Sequence, residues 1–324
     1  MGIFFKLSRL IKMGGLDLPL FKLEDKLFKT DHAAQLIHKI FEAANSTEYA
    51  RLIQLNYECA TGKPFNIENP VTFNEKIQWL KAYDSTTIKT RLADKYLVRN
   101  WIAEKIGEEY LVPLLGVWDK FEDIDFECLP NSFALKCNHG SGWNLIVLNK
   151  ADIDIQEAKE KFDNWMSTNY AFLGGEIHYR DIPPKIIAEQ YLDMSGGIKD
   201  YKFYCFRGTP VIVTVDLFSG MPGHIRSVYD MDWNKVDLRI TWPDGGRLLE
   251  KKPYNFELMK SFASLLSEEF AFVRVDFFEV RGCLYMGEMT FTSMNGRGKF
   301  DPPIWDRKLG DMLMLPKKVL SIGI

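Results

Sequence analysis

Two hydrophobic periodicities divide the chain. To about residue 108 it reads as helical, and capping-box patterns, Asn45-x-x-Glu48 and Thr72-x-x-Glu75, stand ahead of apolar-periodic segments. Leu92–Ile106 carries apolar residues at Leu97, Val98, Trp101, Ile102 and Ile106, with Gly107 where a C-cap belongs, so a single helix is predicted there. Beyond it, short apolar or alternating runs split by turn residues predict strands. They fall at Ser132–Cys137, Asn144–Leu148, Ile186–Leu192, Tyr201–Phe206, Val211–Val215, Phe272–Phe278 and Cys283–Phe291. Two amphipathic segments, Ile155–Asn169 and Phe256–Glu269, interrupt them. Interspersed strands and helices predict an α+β fold rather than a doubly wound parallel sheet.

Composition narrows the class. Against 44 acidic residues stand 41 Lys and Arg, a net charge of −3, which lacks the basic surplus of a duplex-binding protein. Apolar residues at 46% and charged residues at 26% exclude a disordered or collagen-like chain. No stretch approaches the roughly 20 apolar residues of a membrane span. The N-terminal MGIFFKLSRLIKMGG is broken by Lys6, Arg9 and Lys12, with no small-residue cleavage site after it, so it reads poorly as a signal peptide. Residues 1–14 read either as a first packed helix or as an amphipathic segment touching an anionic membrane surface. Five dispersed cysteines with no C-x-x-C argue against a zinc site or disulfide scaffold and make a reducing cytoplasm the expected location.

The first chemical candidate is Phe133-Ala-Leu-Lys136-Cys-Asn-His139-Gly140-Ser141-Gly142. A lysine ends a strand and a Gly/Ser turn follows, where backbone N–H groups can approach phosphate oxygens. It matches neither a P-loop nor a G-x-G-x-x-G turn, and an ordinary glycine hairpin with a surface lysine is the plain alternative. The second is the pair Val273-Arg274-Val275-Asp276-Phe277-Phe278 and Leu284-Tyr285-Met286-Gly287-Glu288-Met289-Thr290-Phe291. Alternation sends Arg274 and Asp276 to one face. A three-residue loop at Arg281–Cys283 would set Asp276 opposite Glu288, with Thr290 facing the same way, an arrangement suited to Mg²⁺. A two-residue loop would turn Glu288 to the other face and break the pair. These strands are apolar on both sides, and buried charges without a partner or ion are costly.

Other patterns are thinner. Asp230-x-Asp232 is the D-x-D of many metal-dependent sugar transferases, but Asp123-x-Asp125 and Asp152-x-Asp154 repeat it. Hydrolase, zinc and protein-kinase readings lack their motifs. His224, Arg226, Tyr229 and Trp233 read either as contacts to an acidic sugar or as a surface loop.

Taken in order, Asp94-Lys95…Arg99, the Lys136 strand with its Gly loop, Ile-Ile-Ala-Glu189-Gln190-Tyr191-Leu192, Asp200-Tyr-Lys202-Phe, Arg274-Val-Asp276-Phe and Gly287-Glu288-Met-Thr290-Phe are similar to the ATP-grasp enzymes. With Thr-Phe-Asn-Glu-Lys-Ile-Gln-Trp-Leu-Lys81 upstream and Asp301-Pro-Pro-Ile-Trp-Asp306 downstream, the chain resembles the TupA-like branch, found among bacterial surface-polysaccharide genes. The ATP-grasp resemblance covers about residues 92–306, and the branch-specific pattern runs from roughly residue 50 onward.

The resemblance implies ATP held between two α+β subdomains: a helical lead-in over 1–108, a central subdomain over 109–192 and a C-terminal one over 193–324. It puts Lys136 at the α/β-phosphates, with Lys95 or Arg99 as the earlier phosphate-binding residue. The His139–Gly140–Ser141–Gly142 loop would close over the γ-phosphate. Glu189, Gln190, Tyr191 and Leu192 would form the adenine hinge. Asp200 or Asp193 would take the ribose hydroxyls, and Lys202 would belong to the same nucleotide site. Asp276 and Glu288 would hold Mg²⁺, and Arg274 would stabilise the transferred phosphoryl group. Many ATP-grasp enzymes have Asn where this chain has Thr290, which leaves a neutral oxygen ligand there. The implied reaction is ATP-dependent amide formation through an acyl phosphate, joining an amino acid or other amine to a uronic-acid carboxyl of a saccharide. The alternatives are a glycosyltransferase using Asp230 and Asp232, which leaves Lys136, Arg274, Asp276 and Glu288 without a role, and a non-catalytic protein on the same fold.

Overall fold

The computed structural model describes residues 38–42, 44, 46–192, 199–219, 222–249 and 251–318. The readings on Asn45, Asp193 and residues 1–14 lie outside these residues. Helix α1 (Ser46–Thr61) leads to α2 (Phe73–Tyr83), whose capping box closes as predicted. The Glu75 N–H donates to Thr72 Oγ1 at 3.3 Å, and the Thr72 N–H donates to Glu75 Oε2 at 3.1 Å. Phe73 is fully buried among the rings of Tyr204, Phe206, Phe272 and Phe300, which ties the helical region to the sheet behind it.

A neighbouring face of α2 is polar and also buried. Asn74, Gln78 and Lys81 share one helix face. Asn74 Nδ2 donates to the Gly298 carbonyl (2.8 Å), and Asn74 Oδ1 accepts the Gly298 N–H (3.0 Å). Gln78 Nε2 donates to the carbonyls of Asn295 and Gly296, and Lys81 Nζ to those of Asn295 and Gly174. These side chains clamp a loop in which Met294, Asn295 and Gly296 have φ of 50°, 54° and 63°. Two successive non-glycine residues in that region cost about 1 kcal/mol or more each, and the clamp compensates.

The single helix predicted over Leu92–Ile106 is two, α3 (Thr87–Ala93) and α4 (Val98–Ile106). Asp94 Oδ1 accepts the N–H groups of Tyr96 (2.8 Å) and Leu97 (3.2 Å), competing with the helical ladder and starting α4 afresh. Gly107 does cap it, with φ 114°. Strand β1 (Leu114–Trp118), which Gly116 hid from the pattern, is followed by β2 (Phe133–Cys137), β3 (Asn144–Val147), α5 (Ile155–Ser167), a single turn α6 (Ala171–Gly174) and β4 (Ile186–Gln190). The strands form one antiparallel sheet in the order β1-β4-β2-β3. Phe133, Leu135, Cys137, Ile186 and Ala188 pack with Phe162 of α5 on one face, leaving Lys136 and Glu189 on the other.

The second sheet has the order β10-β9-β5-β6-β7, all antiparallel. It comprises β5 (Lys199–Phe206), β6 (Thr209–Leu217), β7 (Ile225–Asp230), β9 (Val273–Val280) and β10 (Cys283–Thr290). The two-residue strands β8 (Arg239–Ile240) and β11 (Phe300–Asp301) pair apart from it. Phe203, Val213, Val215, Val275 and Phe277 cover one face together with helix α7 (Phe256–Ser267). Helix α8 (Ile304–Met312) presents Asp306, whose carboxylate accepts the backbone N–H (2.9 Å) and Nδ2 (3.1 Å) of Asn74. Among the described residues no helix is long and apolar enough to cross a membrane.

The β9–β10 hairpin corrects the expected turn. Val280 pairs with Cys283, so the loop is the two residues Arg281 and Gly282, with φ 52° and 81°, the left-handed pair that suits strand twist. That turn alone would send Glu288 to the wrong face. The register shifts once more between Met286 and Glu288, and this bulge at Gly287 returns Glu288 to its place opposite Asp276. A Cβ at Gly287 would stand 2.9 Å from Phe278 Cε2 and 3.1 Å from the Asp276 carbonyl oxygen. We expect Gly287→Ala to lower stability by about 1–3 kcal/mol in urea unfolding. An unchanged midpoint would mean that the bulge is not tightly held.

Candidate functional site

The break between α3 and α4 carries Lys95 beneath the glycine turn. Its N–H donates to the Asn138 carbonyl (3.2 Å), and its ammonium donates to the Gly140 carbonyl. Lys136, at the end of β2, reaches Glu189 Oε2 at 2.6 Å, while Arg99 of α4 reaches Glu189 Oε1 at 3.0 Å. One buried carboxylate therefore gathers two cations on this face of the sheet. Ser141 and Gly142 are exposed, and Gly142 has φ 76°. A side chain at Gly140 would strike the Trp143 ring, 2.5 Å from the nearest atom. His139 lies inside this framework: its ring is 3% exposed, with Nε2 3.1 Å from the Trp165 carbonyl, and it supports the turn from behind. Gln190 ends β4 exposed, and Tyr191 and Leu192 follow half-buried.

The second sheet presents a charged row. Arg274 grips Asp276 through Nε (2.7 Å) and Nη2 (2.6 Å). Nη2 also donates to Glu288 Oε1 (3.1 Å) and Thr290 Oγ1 (3.0 Å), and Thr290 donates to Glu288 at 2.9 Å. Lys202, opposite Asp276 on β5, lies 3.2 Å from its Oδ2 and donates to Asp200 as well. Ser293 Oγ, 3.4 Å from Arg274 Nη1, donates to the Tyr204 hydroxyl at 3.1 Å, so the clamped loop braces the guanidinium. Asp276 is 1% exposed and the Glu288 side chain 38%, so Glu288 is the open member of the pair.

Burial pushes the Glu288 carboxyl up, but Lys95, Arg274 and Lys202 more than reverse it and hold it at about 2. Lys95 and Glu288 interact across the gap between the two sheets, so the cationic edge of one faces the acidic pair of the other. Burial draws Lys202 down, and Asp200 and Asp276 raise it further, so it stays a cation. Burial and the neighbouring Asp276 push Asp200 up to about 6 against the pull of Lys202.

Other residues singled out by sequence lie elsewhere. Asp230 accepts the N–H groups of Asp232 (3.0 Å) and Asn234 (2.8 Å) and Nδ2 of Asn234 (3.0 Å), so the D-x-D carboxylate caps its own turn. The supposed loop around Arg226 is strand β7. There Arg226 is buried and spent on Asp216 through Nε (2.5 Å) and Nη2 (2.6 Å), and His224 is buried beside it. Sequence reasoning passed over Thr214, Asp216, Tyr204 and Ser293. The period-two polar interruptions at Thr214 and Asp216 within Val211–Leu217 were the available signal.

An antiparallel sheet bearing Lys136 and a glycine turn, set against one bearing an Arg-Asp-Glu cluster, defines the ATP-grasp class of nucleotide-binding folds. Residues 75–314 match the TupA-like ATP-grasp family, and the chain belongs to that family. No curated protein matches it. Among solved structures it is similar to the D-alanine–D-alanine ligase from Bacillus anthracis, at 16% identity and a TM-score of 0.42 over 69% of this chain and 66% of that one. It is also similar to the L-amino acid ligase from Bacillus licheniformis, at 15% identity and a TM-score of 0.41 over 65% of this chain and 45% of that one. The chain thus spans just under two thirds of the first and under half of the second.

Because Glu288 titrates near 2 in the folded state rather than at its ordinary 4.5, the folded protein binds fewer protons than the unfolded chain between those values. Its contribution to stability is full above about pH 4.5 and is lost as pH falls towards 2. Glu288→Gln should therefore flatten the acid limb of urea midpoints plotted against pH. Parallel limbs for the two proteins would show that the cations do not hold Glu288 ionised.

Proposed function

We propose that this protein is an ATP-dependent carboxylate–amine ligase that works on a carboxylated saccharide of the bacterial surface, with an amino acid or other small amine as the second substrate. The observation that carries this reading is the buried Arg274–Asp276–Glu288 cluster facing Lys95 across the gap between the sheets. Hard oxygen donors suit Mg²⁺, and the set present fits it: Glu288 is partly open, and Asp276 Oδ1 keeps a second lone pair beyond its bond to Arg274 Nε, while Oδ2 is shared between Arg274 and Lys202. Bound Mg²⁺ would shield charge on the phosphates. Asp276, Glu288 and Thr290 would supply its ligands.

The chain's own groups account for the remainder. Lys136 and Arg99 converge on Glu189 and Lys95 reaches the glycine turn; their charge would hold the phosphates of ATP, with Glu189 keeping Lys136 and Arg99 in place until nucleotide arrives. A carboxylate is a poor electrophile because an attacking amine would have to expel oxide. Its oxygen would attack the γ-phosphorus, with ADP leaving, to give an acyl phosphate. Arg274 and Lys202 are already held by Asp276 and would stand beside the transferring oxygens, so little reorganisation would oppose the transfer. The amine nitrogen would then attack the acyl carbon, phosphate would leave, and the nitrogen would lose its proton. The exposed Ser141–Gly142 turn is suited to cover the site and keep water out. Turn-capping by Asp230 weighs against the transferase reading.

ATP with Mg²⁺ should raise the thermal midpoint and UDP-glucose with Mn²⁺ should not, since a ligand at a hundred times its Kd adds about 2.7 kcal/mol. Stabilisation by the UDP-sugar alone would replace the ligase with a transferase. Lys136→Ala should weaken ATP binding by about tenfold or more, because a charge-assisted contact is lost. Asp276→Asn should reduce ADP release at least about a hundredfold while the protein stays folded. Undiminished turnover would remove Asp276 from the metal site.

A further inference from the structure

Beyond the cationic end, the charged row of the second sheet runs on into polar groups that the phosphoryl chemistry does not use. Thr214 stands opposite Lys202, which stands opposite Asp276, so the three occupy one cross-strand line over β6, β5 and β9. Asp200 and Asp216 pair in the neighbouring line, with Arg226 opposite Asp216. Among the described residues, three buried side chains on this face, Thr214, Asp200 and His224, carry atoms without a hydrogen-bond partner. Thr214 is fully buried and its hydroxyl has no hydrogen-bond partner. Asp200 is 7% exposed with Oδ1 unpaired, its other oxygen being taken by Lys202. His224 is 8% exposed with Nδ1 unpaired, and its Nε2 meets Asp216 Oδ2 at 3.3 Å without hydrogen-bond geometry.

An unpaired buried polar atom is costly, so three grouped on one sheet face suit a ligand that carries hydrogen-bonding groups. A flat wall adjoins them. The Trp242 indole stacks on the His224 imidazole with centroids 4.3 Å apart and planes 22° from parallel, yet is 41% exposed. It is presented by Thr241, a β-branched residue at φ 64°, a strained backbone that points to a positioning role. A ligand that suits an indole face beside a carboxylate, a hydroxyl and an imidazole has an apolar ring face and an edge of hydroxyl groups. Sugars have that chemistry. Thr214 lies two strands from Asp276, about 10 Å at ordinary strand spacing. With a hydrogen-bond contact at each end, that span accommodates one uronate ring, its carboxyl at the charged cluster and its hydroxyls at Thr214.

We propose that Asp200, Thr214 and His224, walled by Trp242, form the hydroxyl-recognition subsite for the saccharide. The proposal rests on the ligase reading for what that saccharide becomes, and it does not need Arg226, whose charge Asp216 has already taken. The hydroxyls could equally come from the ribose of a nucleotide, so the test has an arm for each source.

The test is calorimetric titration of the full chain with glucuronic acid and with UDP-glucuronate, each with and without ADP and Mg²⁺, and with ADP and Mg²⁺ alone. We expect at least one uronate to bind wild type, and Thr214→Val and Trp242→Ala each to weaken it about tenfold with ADP affinity unchanged. Thr214→Val removes an unpaired hydroxyl from the empty protein, so its thermal midpoint should rise or hold while its ligand affinity falls; a purely structural role would not separate the two. Absence of uronate binding to wild type overturns the subsite, as does wild-type affinity in both variants. A loss of ADP affinity in Thr214→Val assigns the hydroxyl to the nucleotide and likewise overturns it. Failure of ADP to bind wild type counts against the ligase reading, and the uronate titration without nucleotide still decides the subsite.

Discussion

The arrangement depends on one carboxylate that is almost completely buried and held between two cations. Asp276 is 1% exposed, and a charged group in that position is costly unless it is paired and hydrogen-bonded. Arg274 meets it with two parallel bonds from the same strand face, and Lys202 approaches from the adjoining strand. Such a network is a weak source of stability, because apolar residues of similar volume would serve the fold as well. What it provides is charge at a fixed place. Glu288 then inherits a field strong enough to keep it ionised while it remains open to solvent.

Two supports keep that charge in position, and both come from distant segments. The polar stripe Asn74–Gln78–Lys81 on α2 holds a left-handed loop, and that loop presents Ser293 to Arg274 and Tyr204. Asp306 on α8 fixes the start of the same helix. The segments near the two ends of the described chain thus brace one loop beside the charged row. The interrupted helix contributes from the other sheet: a continuous helix over Leu92–Ile106 would not carry Lys95 to the Gly140 carbonyl.

Much of the site was legible because its parts are local. The Thr72–Glu75 box, the alternation of Arg274 and Asp276, and the Lys136 strand with its glycine turn are each set by a few neighbouring residues, and the structure keeps all three. Strand β7 escaped because Arg226 and Ser227 break its apolar pattern, and what makes those residues tolerable in a buried strand is Asp216 and Asp244 on other segments. The D-x-D at Asp230, which two other segments repeat, closes a turn in the folded chain.

The sequence by itself determined the fold class, the order of the motifs and which residues on each strand share a face, since these follow from local periodicity and short-range hydrogen bonding. The pairing of Asp276 with Glu288 was decided in three dimensions. The predicted three-residue turn is two residues long, and only the bulge at Gly287 restores the register. A bulge is chosen by how two strands fit over a packed core, where Gly287 lies against Phe278 and the Asp276 backbone. The convergence of Lys95 on the acidic pair, and the unsatisfied atoms of Asp200, Thr214 and His224, likewise exist only once separate segments share a low-dielectric interior. Burial gives such contacts their energy, and no local pattern in the chain records it.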